Sequence, residues 1–381
     1  MENIKSEEDL KYTLCSSAGG KVIISGEHSV VYGKPAIAFS IDKYTKMDLK
    51  GYKSSESFNI FASINLSDLK IKLTITKSEM IEVLKNKNIP DYNNDKYKKH
   101  LIHIITNFFK NISENKILEN NKIKNFINNF YFSVTILSEI PVGYGLGSSA
   151  AYNVCIINGI CNLINTITKR KIYSEKDILL LSNDGEKIFH NGTPSGIDVS
   201  CSLYGGIILF NNINEQNKLN INQKNFFFEK IKFLLIDTKM KRDGGDFINI
   251  VSNYKKNNFK EFSEAINNIE KVTNDIIKLI SKEESNEKDC SEFFELIKQN
   301  QKLLKKICVS NEQIDKIITL LETNGFVGKI SGAGGGGFII SFTPKEKIGN
   351  LIKLLEENEI KYMEVNISKE PAKIINLEIF K

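Results

Sequence analysis

The chain has 381 residues, which at roughly 100–200 residues per domain predicts two or three compact units with sizeable cores. Hydrophobic residues make up 41% and charged residues 26%, which excludes a disordered chain, a collagen-like repeat and a disulfide-stapled miniprotein. Lys plus Arg (52) exceed Asp plus Glu (46) by six, too small an excess for the dense basic stripe of a dedicated nucleic-acid binder.

The opening run Met1 to Leu10 carries acids and no apolar h-region, so no secretory signal is expected there. No apolar stretch approaches the ~18 residues a membrane helix needs, and the expectation is a cytoplasmic protein without a membrane partner. Six cysteines (Cys15, Cys155, Cys161, Cys201, Cys290 and Cys308) are scattered without a C-x-x-C pair. Free, reduced thiols are therefore expected rather than a zinc or redox site.

The first informative segment is Ala18-Gly19-Gly20-Lys21-Val22-Ile23-Ile24-Ser25-Gly26-Glu27-His28. Lys21 heads an apolar strand predicted over 21–25, and an acid and a histidine follow it at once. Such a lysine either snorkels to water or is paired, and beside phosphate or a carboxylate it is an electrostatic catalyst. Residues 85–130, rich in Asn and Lys, read as polar surface helix and loop. His100 and His103 there stand three apart; with no third ligand nearby they predict a solvated helix face, not a metal site.

A strand over 132–136 leads to Pro141-Val142-Gly143-Tyr144-Gly145-Leu146-Gly147-Ser148-Ser149-Ala150-Ala151 and then to a helix predicted over 150–164. The alternating glycines let backbone amides crowd an anion where the first helical N–H groups lack partners, a phosphate cradle. The spacing is neither a Walker A loop nor G-x-G-x-x-G. The simpler alternative is that Ser148 or Ser149 only caps the helix. Further on, Glu186 and Asp198 flank the turn His190-Asn191-Gly192-Thr193-Pro194-Ser195-Gly196; one acid can bind a divalent cation while the other accepts a hydroxyl proton, as phosphoryl transfer demands.

After a strand over 206–210, a linker rich in Asn, Gln and Lys runs from Asn211 to Asn225. It divides the chain into an amino-terminal domain, 1–225, and a carboxy-terminal domain, 226–381. The second is predicted to hold a strand over 231–237, a helix over 293–307, a strand over 337–342, a helix over 344–358 and a last strand over 374–379. Between them lies Lys329-Ile330-Ser331-Gly332-Ala333-Gly334-Gly335-Gly336-Gly337, whose glycines are expected to approach substrate or nucleotide phosphates closely.

These four segments, in this order and over most of the chain, resemble the GHMP small-molecule kinases, and in particular the branch of that family that phosphorylates mevalonate. Residues 26–38, 145–152 and the stretch 300–315 carry the closest likeness. The resemblance implies an α+β fold of two domains: a ribosomal-protein-like α/β amino-terminal domain with a left-handed βαβ crossover, and a ferredoxin-like carboxy-terminal domain. It implies ATP and Mg²⁺ as cofactors, a small-molecule acceptor, and room for a homodimer. By the same resemblance Asp198 is the base with Lys21 beside it; Ser138, Gly143, Tyr144, Gly145, Leu146, Gly147, Ser148 and Ser149 hold nucleotide with Lys21; Ser149 and Glu186 hold the metal; and Glu27, His28, Gly332 and Ala333 border the acceptor. Three departures stand out. Gly19 replaces a usual proline, the 190–194 turn is one residue longer than the family's, and Gly244 stands where threonine is frequent. The alternatives are a sister kinase acting on phosphomevalonate, homoserine or a sugar, and a catalytically silent RNA- or protein-binding module.

Overall fold

Apolar residues on both faces make β1 (Leu10–Ser25) a central strand: from Ser16 onward every residue is buried. Its neighbour β2 (Ala36–Lys53) runs antiparallel to it, with Lys21 opposite Ser40 and Val22 opposite Phe39. The computed structural model describes residues 9–55, 57–86, 95–114, 119–189, 194–211, 216–219, 226–240, 244–282 and 286–380. In chain order the next elements are β3 (Ile60–Leu66), β4 (Ile71–Thr76), α1 (Lys77–Asn86), α2 (Lys96–Glu114), α3 (Asn120–Asn129), β5 (Phe130–Ser138), α4 (Ser148–Thr168), α5 (Glu175–Phe189), α6 (Ile197–Tyr204), β6 (Ile207–Phe210) and β7 (Gln216–Leu219). The remainder comprises α7 (Phe226–Glu229), β8 (Ile231–Asp237), α8 (Gly244–Asn257), α9 (Phe259–Ile280), α10 (Glu287–Lys306), α11 (Glu312–Thr323), β9 (Gly328–Ile330), β10 (Phe338–Pro344), α12 (Ile348–Glu357), β11 (Tyr362–Val365) and β12 (Lys373–Ile379).

The strands form two sheets. The larger has the order β12-β1-β2-β5-β3-β4, with β6 on the other end of β2 and β7 on β6; the smaller has the order β11-β8-β10-β9. Strand β3 runs parallel to β5, whereas the other pairings are antiparallel. Two expectations are corrected here. The segment 211–225 was predicted as a linker, yet residues 216–219 form a strand paired with β6. The carboxy-terminal domain was predicted to run to the chain's end, yet β12 returns to the first sheet, with Tyr12 opposite Ile379 and Ser17 opposite Lys373.

Alternation along β1 divides its side chains between two cores. Val22 and Ile24, with Phe39 and Ile41 of β2, pack against Phe233 and Leu235 of β8 and against Ile276 and Phe293 of α9 and α10. The Phe39 and Phe233 rings lie 5.0 Å apart. Ile23 faces the other way, into a cluster with Ile197 and Cys201 of α6, and the period of two along a strand puts Lys21 on that same face. The two sheets thus share a continuous apolar core, while the charged face of β1 looks toward α6.

Helix α4 is 21 residues long and apolar enough by length and composition to cross a bilayer, contrary to the expectation that no such stretch exists. Twelve of its residues are buried, from Ala150 to Leu163; it is packed as the central helix against β1 and α5, which explains its apolar surface without a membrane. The six cysteines are all free, Cys308 exposed and the others buried or half-buried.

Candidate active site

The glycine loop is pinned to β1. The Lys21 backbone N–H donates to the Leu146 carbonyl at 2.8 Å, and Gly143, Gly145 and Gly147 all have positive φ (85°, 84° and 71°). Gly147 is the residue that makes this approach feasible, because a Cβ there would lie 2.8 Å from Cγ of Lys21. It also occupies the N-cap of α4, with no side-chain hydrogen bond capping the helix. The simpler reading, in which Ser148 or Ser149 serves only as a cap, is thereby removed. The first amides of α4 and its positive end open instead beside Lys21.

Lys21 is 3% exposed and its Nζ lies 3.1 Å from Oδ1 of Asp198, which is about a third exposed. Asp198 stands in the first turn of α6, after Gly196 at φ 95°. This pairs a nearly buried ammonium with a carboxylate that solvent or a small molecule reaches. Nearby, Ser149 Oγ donates to Glu186 Oε2 at 3.0 Å, and Glu186 is 2% exposed. Asn153 donates from Nδ2 to Glu186 Oε1 and to the Ser149 carbonyl, the latter at 3.0 Å. A hydroxyl and a carboxylate are hard oxygen donors suited to Mg²⁺. Among the described residues no group of three His, Cys, Asp or Glu gathers, so further ligands would be water and phosphate oxygens, the usual setting for that ion.

Just past the end of β1, and within reach of the Lys21 charge, Glu27 forms with Lys329 of β9 an ion pair in which both side chains are fully buried. Lys329 also donates to the carbonyl of Ile330 at 2.6 Å. Burial pushes the Glu27 carboxyl up and the Lys329 ammonium down, each opposed by the attraction of its partner. Oε2 of Glu27 is buried without a hydrogen-bond partner among the described residues. His28, at φ 60°, holds its Nε2 3.0 Å from the Ala333 carbonyl, so Glu27, His28, Gly332 and Ala333 meet at the junction of the two sheets. Ser138 ends β5 with its hydroxyl 2.8 Å from Thr45 Oγ1 and accepting from the Ile140 amide.

Two expectations need revision. The run 334–337 was predicted to approach phosphates. Its glycines instead make room for protein: a Cβ on Gly334 would strike the Val309 carbonyl, one on Gly336 would lie 2.7 Å from the Met240 carbonyl, and one on Gly337 2.5 Å from that of Tyr144. The Tyr144 ring packs on Phe338 at 5.0 Å, so the run docks the second sheet onto the glycine loop. His100 was predicted on a solvated face; it is fully buried, its Nε2 against Asn153 Oδ1, because α2 packs on α4 and α5 rather than facing solvent. His190 to Thr193, the longer turn, and 241–243, ahead of Gly244, lie outside the described residues. Asn153 and Lys329 were not assigned roles from sequence, although a polar residue on an apolar helix and a lysine ahead of an apolar strand are the signals that mark them.

The match to known families takes in the glycine loop, Glu186, Asp198 and the 329–337 run, while Lys21, Glu27 and His28 lie ahead of the matched ranges. The model of the GHMP kinases N terminal domain matches residues 107–206, and that of the GHMP kinases C terminal domain matches 276–358. The chain belongs to the GHMP kinases. Among the similar members of this family are a mevalonate kinase of Arabidopsis thaliana, 27% identical over 90% of this chain and 93% of its own, and a mevalonate kinase of Methanocaldococcus jannaschii, 29% identical over 90% and 95%. A crystal structure of mevalonate kinase superposes with a TM-score of 0.70 at 26% identity, covering 94% of this chain and all of the other. The fold is accordingly the two-domain GHMP kinase fold, and the enzyme an ATP-dependent kinase.

Proposed function

We propose that the protein transfers the γ-phosphoryl group of ATP to the primary hydroxyl of mevalonate, releasing ADP. The observation that carries this reading is the Lys21–Asp198 pair set beneath the uncapped start of α4 and beside the Ser149–Glu186 pair. The names of the similar kinases supply the acceptor. A cytoplasmic enzyme whose partner is a small molecule follows from the same reading.

Asp198 accepts the proton of the attacking hydroxyl, and the oxygen so freed bonds to the γ-phosphorus as the bond to the bridging oxygen of ADP breaks. Lys21, held in place by its buried stem, faces the charge that develops on that oxygen. Backbone N–H groups of 143–149 receive the phosphates at the positive end of α4. Ser149 and Glu186 would hold Mg²⁺, which supplies neutralisation of phosphate charge when bound. The transition state of such transfer is loose, so positioning and electrostatics provide most of the acceleration, and no phosphoenzyme is needed. Glu27, His28, Gly332 and Ala333 line the acceptor side.

The test is ADP release with ATP and Mg²⁺ against a panel of mevalonate, phosphomevalonate, homoserine and galactose. Turnover with mevalonate alone, abolished by a chelator and restored by Mg²⁺, is expected. Turnover with another acceptor but not with mevalonate would reassign the substrate; RNA binding without ATP turnover would remove the kinase reading.

A further inference from the structure

We propose that His100 and Asn153 are positioning residues that orient the Glu186 carboxylate for its metal. The inference rests on the reading of Ser149 and Glu186 given above and adds to it a chain of donors that runs through three helices.

The direction of each bond follows from the one before it. A carboxylate only accepts. The Asn153 atom against Glu186 Oε1 is therefore the amide nitrogen, which leaves Oδ1 of Asn153 to face His100. That oxygen also only accepts, so the Nε2 of His100 must carry the proton. His100 is held in this form by its surroundings. It is fully buried, with its ring 4.6 Å from that of Phe189 and 5.3 Å from that of Tyr152. Burial keeps it neutral, lowering its pKa to about 3 against the opposing pull of the Asn153 hydrogen bond. Its Nδ1 has no hydrogen-bond partner among the described residues. The chain then reads His100 N–H to Asn153 carbonyl, Asn153 N–H to Glu186 Oε1, and Ser149 O–H to Glu186 Oε2 at 3.0 Å. Each oxygen of the carboxylate thus receives a fixed donor.

A second observation, independent of the hydrogen bonds, is the glycine beside Glu186. Gly185 sits inside α5, where glycine costs about 1 kcal/mol relative to alanine. A Cβ at this position would strike Oδ1 of Asn153 and lie 3.1 Å from Nε2 of His100. The helix gives up propensity at a place where a side chain would part the His100–Asn153 contact.

The experiment titrates Mn²⁺ into the ADP-bound full chain, followed by electron paramagnetic resonance, in parallel with the metal dependence of turnover. Groups that orient metal ligands typically govern affinity by about 10- to 100-fold. Asn153→Ala and His100→Phe are each expected to weaken Mn²⁺ binding by that order and to raise the metal concentration for half-maximal turnover equally, with kcat recovering at saturating metal. His100→Gln, which can present a donor, is expected to restore most of the affinity. A role in packing alone would lower kcat at every metal concentration and leave Mn²⁺ affinity unchanged, and that result overturns the proposal. Asn153→Ala, which removes atoms without adding any, decides the matter if His100→Phe does not fold. Glu186→Gln separates the two layers. If it too leaves Mn²⁺ affinity unchanged, the metal role of Glu186 falls and the positioning role with it; if it weakens binding while Asn153→Ala does not, only the positioning role falls.

Discussion

Lys21 and Asp198 illustrate how much depends on one residue being held still. Lys21 is almost wholly buried, and an ammonium in that setting needs a partner to remain charged at low cost. Asp198 provides it at 3.1 Å, and the pair is set before any ligand arrives. Replacing Asp198 by Asn keeps the shape and removes the base. Turnover is expected to fall by about 10²–10⁴-fold, the range of a lost general base, with nucleotide affinity nearly unchanged. Steady-state kinetics with a fluorescent-nucleotide titration check this, and unaltered turnover would take Asp198 out of the base role. Gly147→Ala probes the same pair from above. At φ 71° with Lys21 Cγ 2.8 Å from the new methyl, it should cost about 1–3 kcal/mol of stability and displace the ammonium. Chemical denaturation and kcat measured together are expected to show both losses.

The junction of α2, α4 and α5 carries a pH dependence that can be worked out in sign. His100 has a folded pKa lowered to about 3 by burial, helped by His103 and opposed by Asn153, against about 6.5 when unfolded. Below pH 6.5 the unfolded chain binds a proton there that the folded chain refuses, so this stability is complete above about 6.5 and is lost as pH falls toward 3. At 1.36 kcal/mol per pH unit the loss reaches roughly 4–5 kcal/mol. His100→Gln should remove that part of the slope, read as the difference between the two urea-unfolding free energies from pH 7 to pH 4; parallel curves would show that His100 is not the group responsible. Sequence legibility also divides at the level of elements. The strand over 231–237 and the helix following the glycine loop are visible because each carries one unbroken pattern, an apolar run or helical spacing ahead of a clear start. Lys21, Ser149 and Asp198 stand out because each sits in a local motif. The burial of His100 does not, since the polar residues around it are the same ones a surface helix would show, and only α4 and α5 arriving from elsewhere cover it. The strand at 216–219 and the return of β12 are likewise decided by partners distant in the chain. The glycine run at 334–337 was visible as a close approach, but the sequence does not say whether phosphate or protein backbone makes it.

At the scale of the whole molecule, the site exists because two sheets are locked together around β1. Phe39 packs at a tilt against Phe233 in the shared core, and Asn300 of α10 donates to Ser25 Oγ at 2.6 Å. Ser25 Oγ lies 2.7 Å from the Thr273 hydroxyl of α9, and Gln301 accepts the amide of Ile330 at 2.9 Å. The Glu27–Lys329 pair spans the same seam with both side chains fully buried. Taking two charges out of water costs about as much as their attraction returns, so the intact pair need not stabilise the fold, but half of it must harm the fold. Lys329→Met strands the Glu27 carboxylate, already pushed up by burial, and should cost about 3–5 kcal/mol. The double variant Glu27→Leu/Lys329→Met removes the stranded charge and should recover most of that loss, although acceptor binding next to Glu27 would suffer. Because the sheets share a core, urea should unfold both in one transition in every variant, which allows the three free energies to be compared on one scale. A double variant no more stable than Lys329→Met would mean that water reaches the seam and that the pair does not act as a buried clamp.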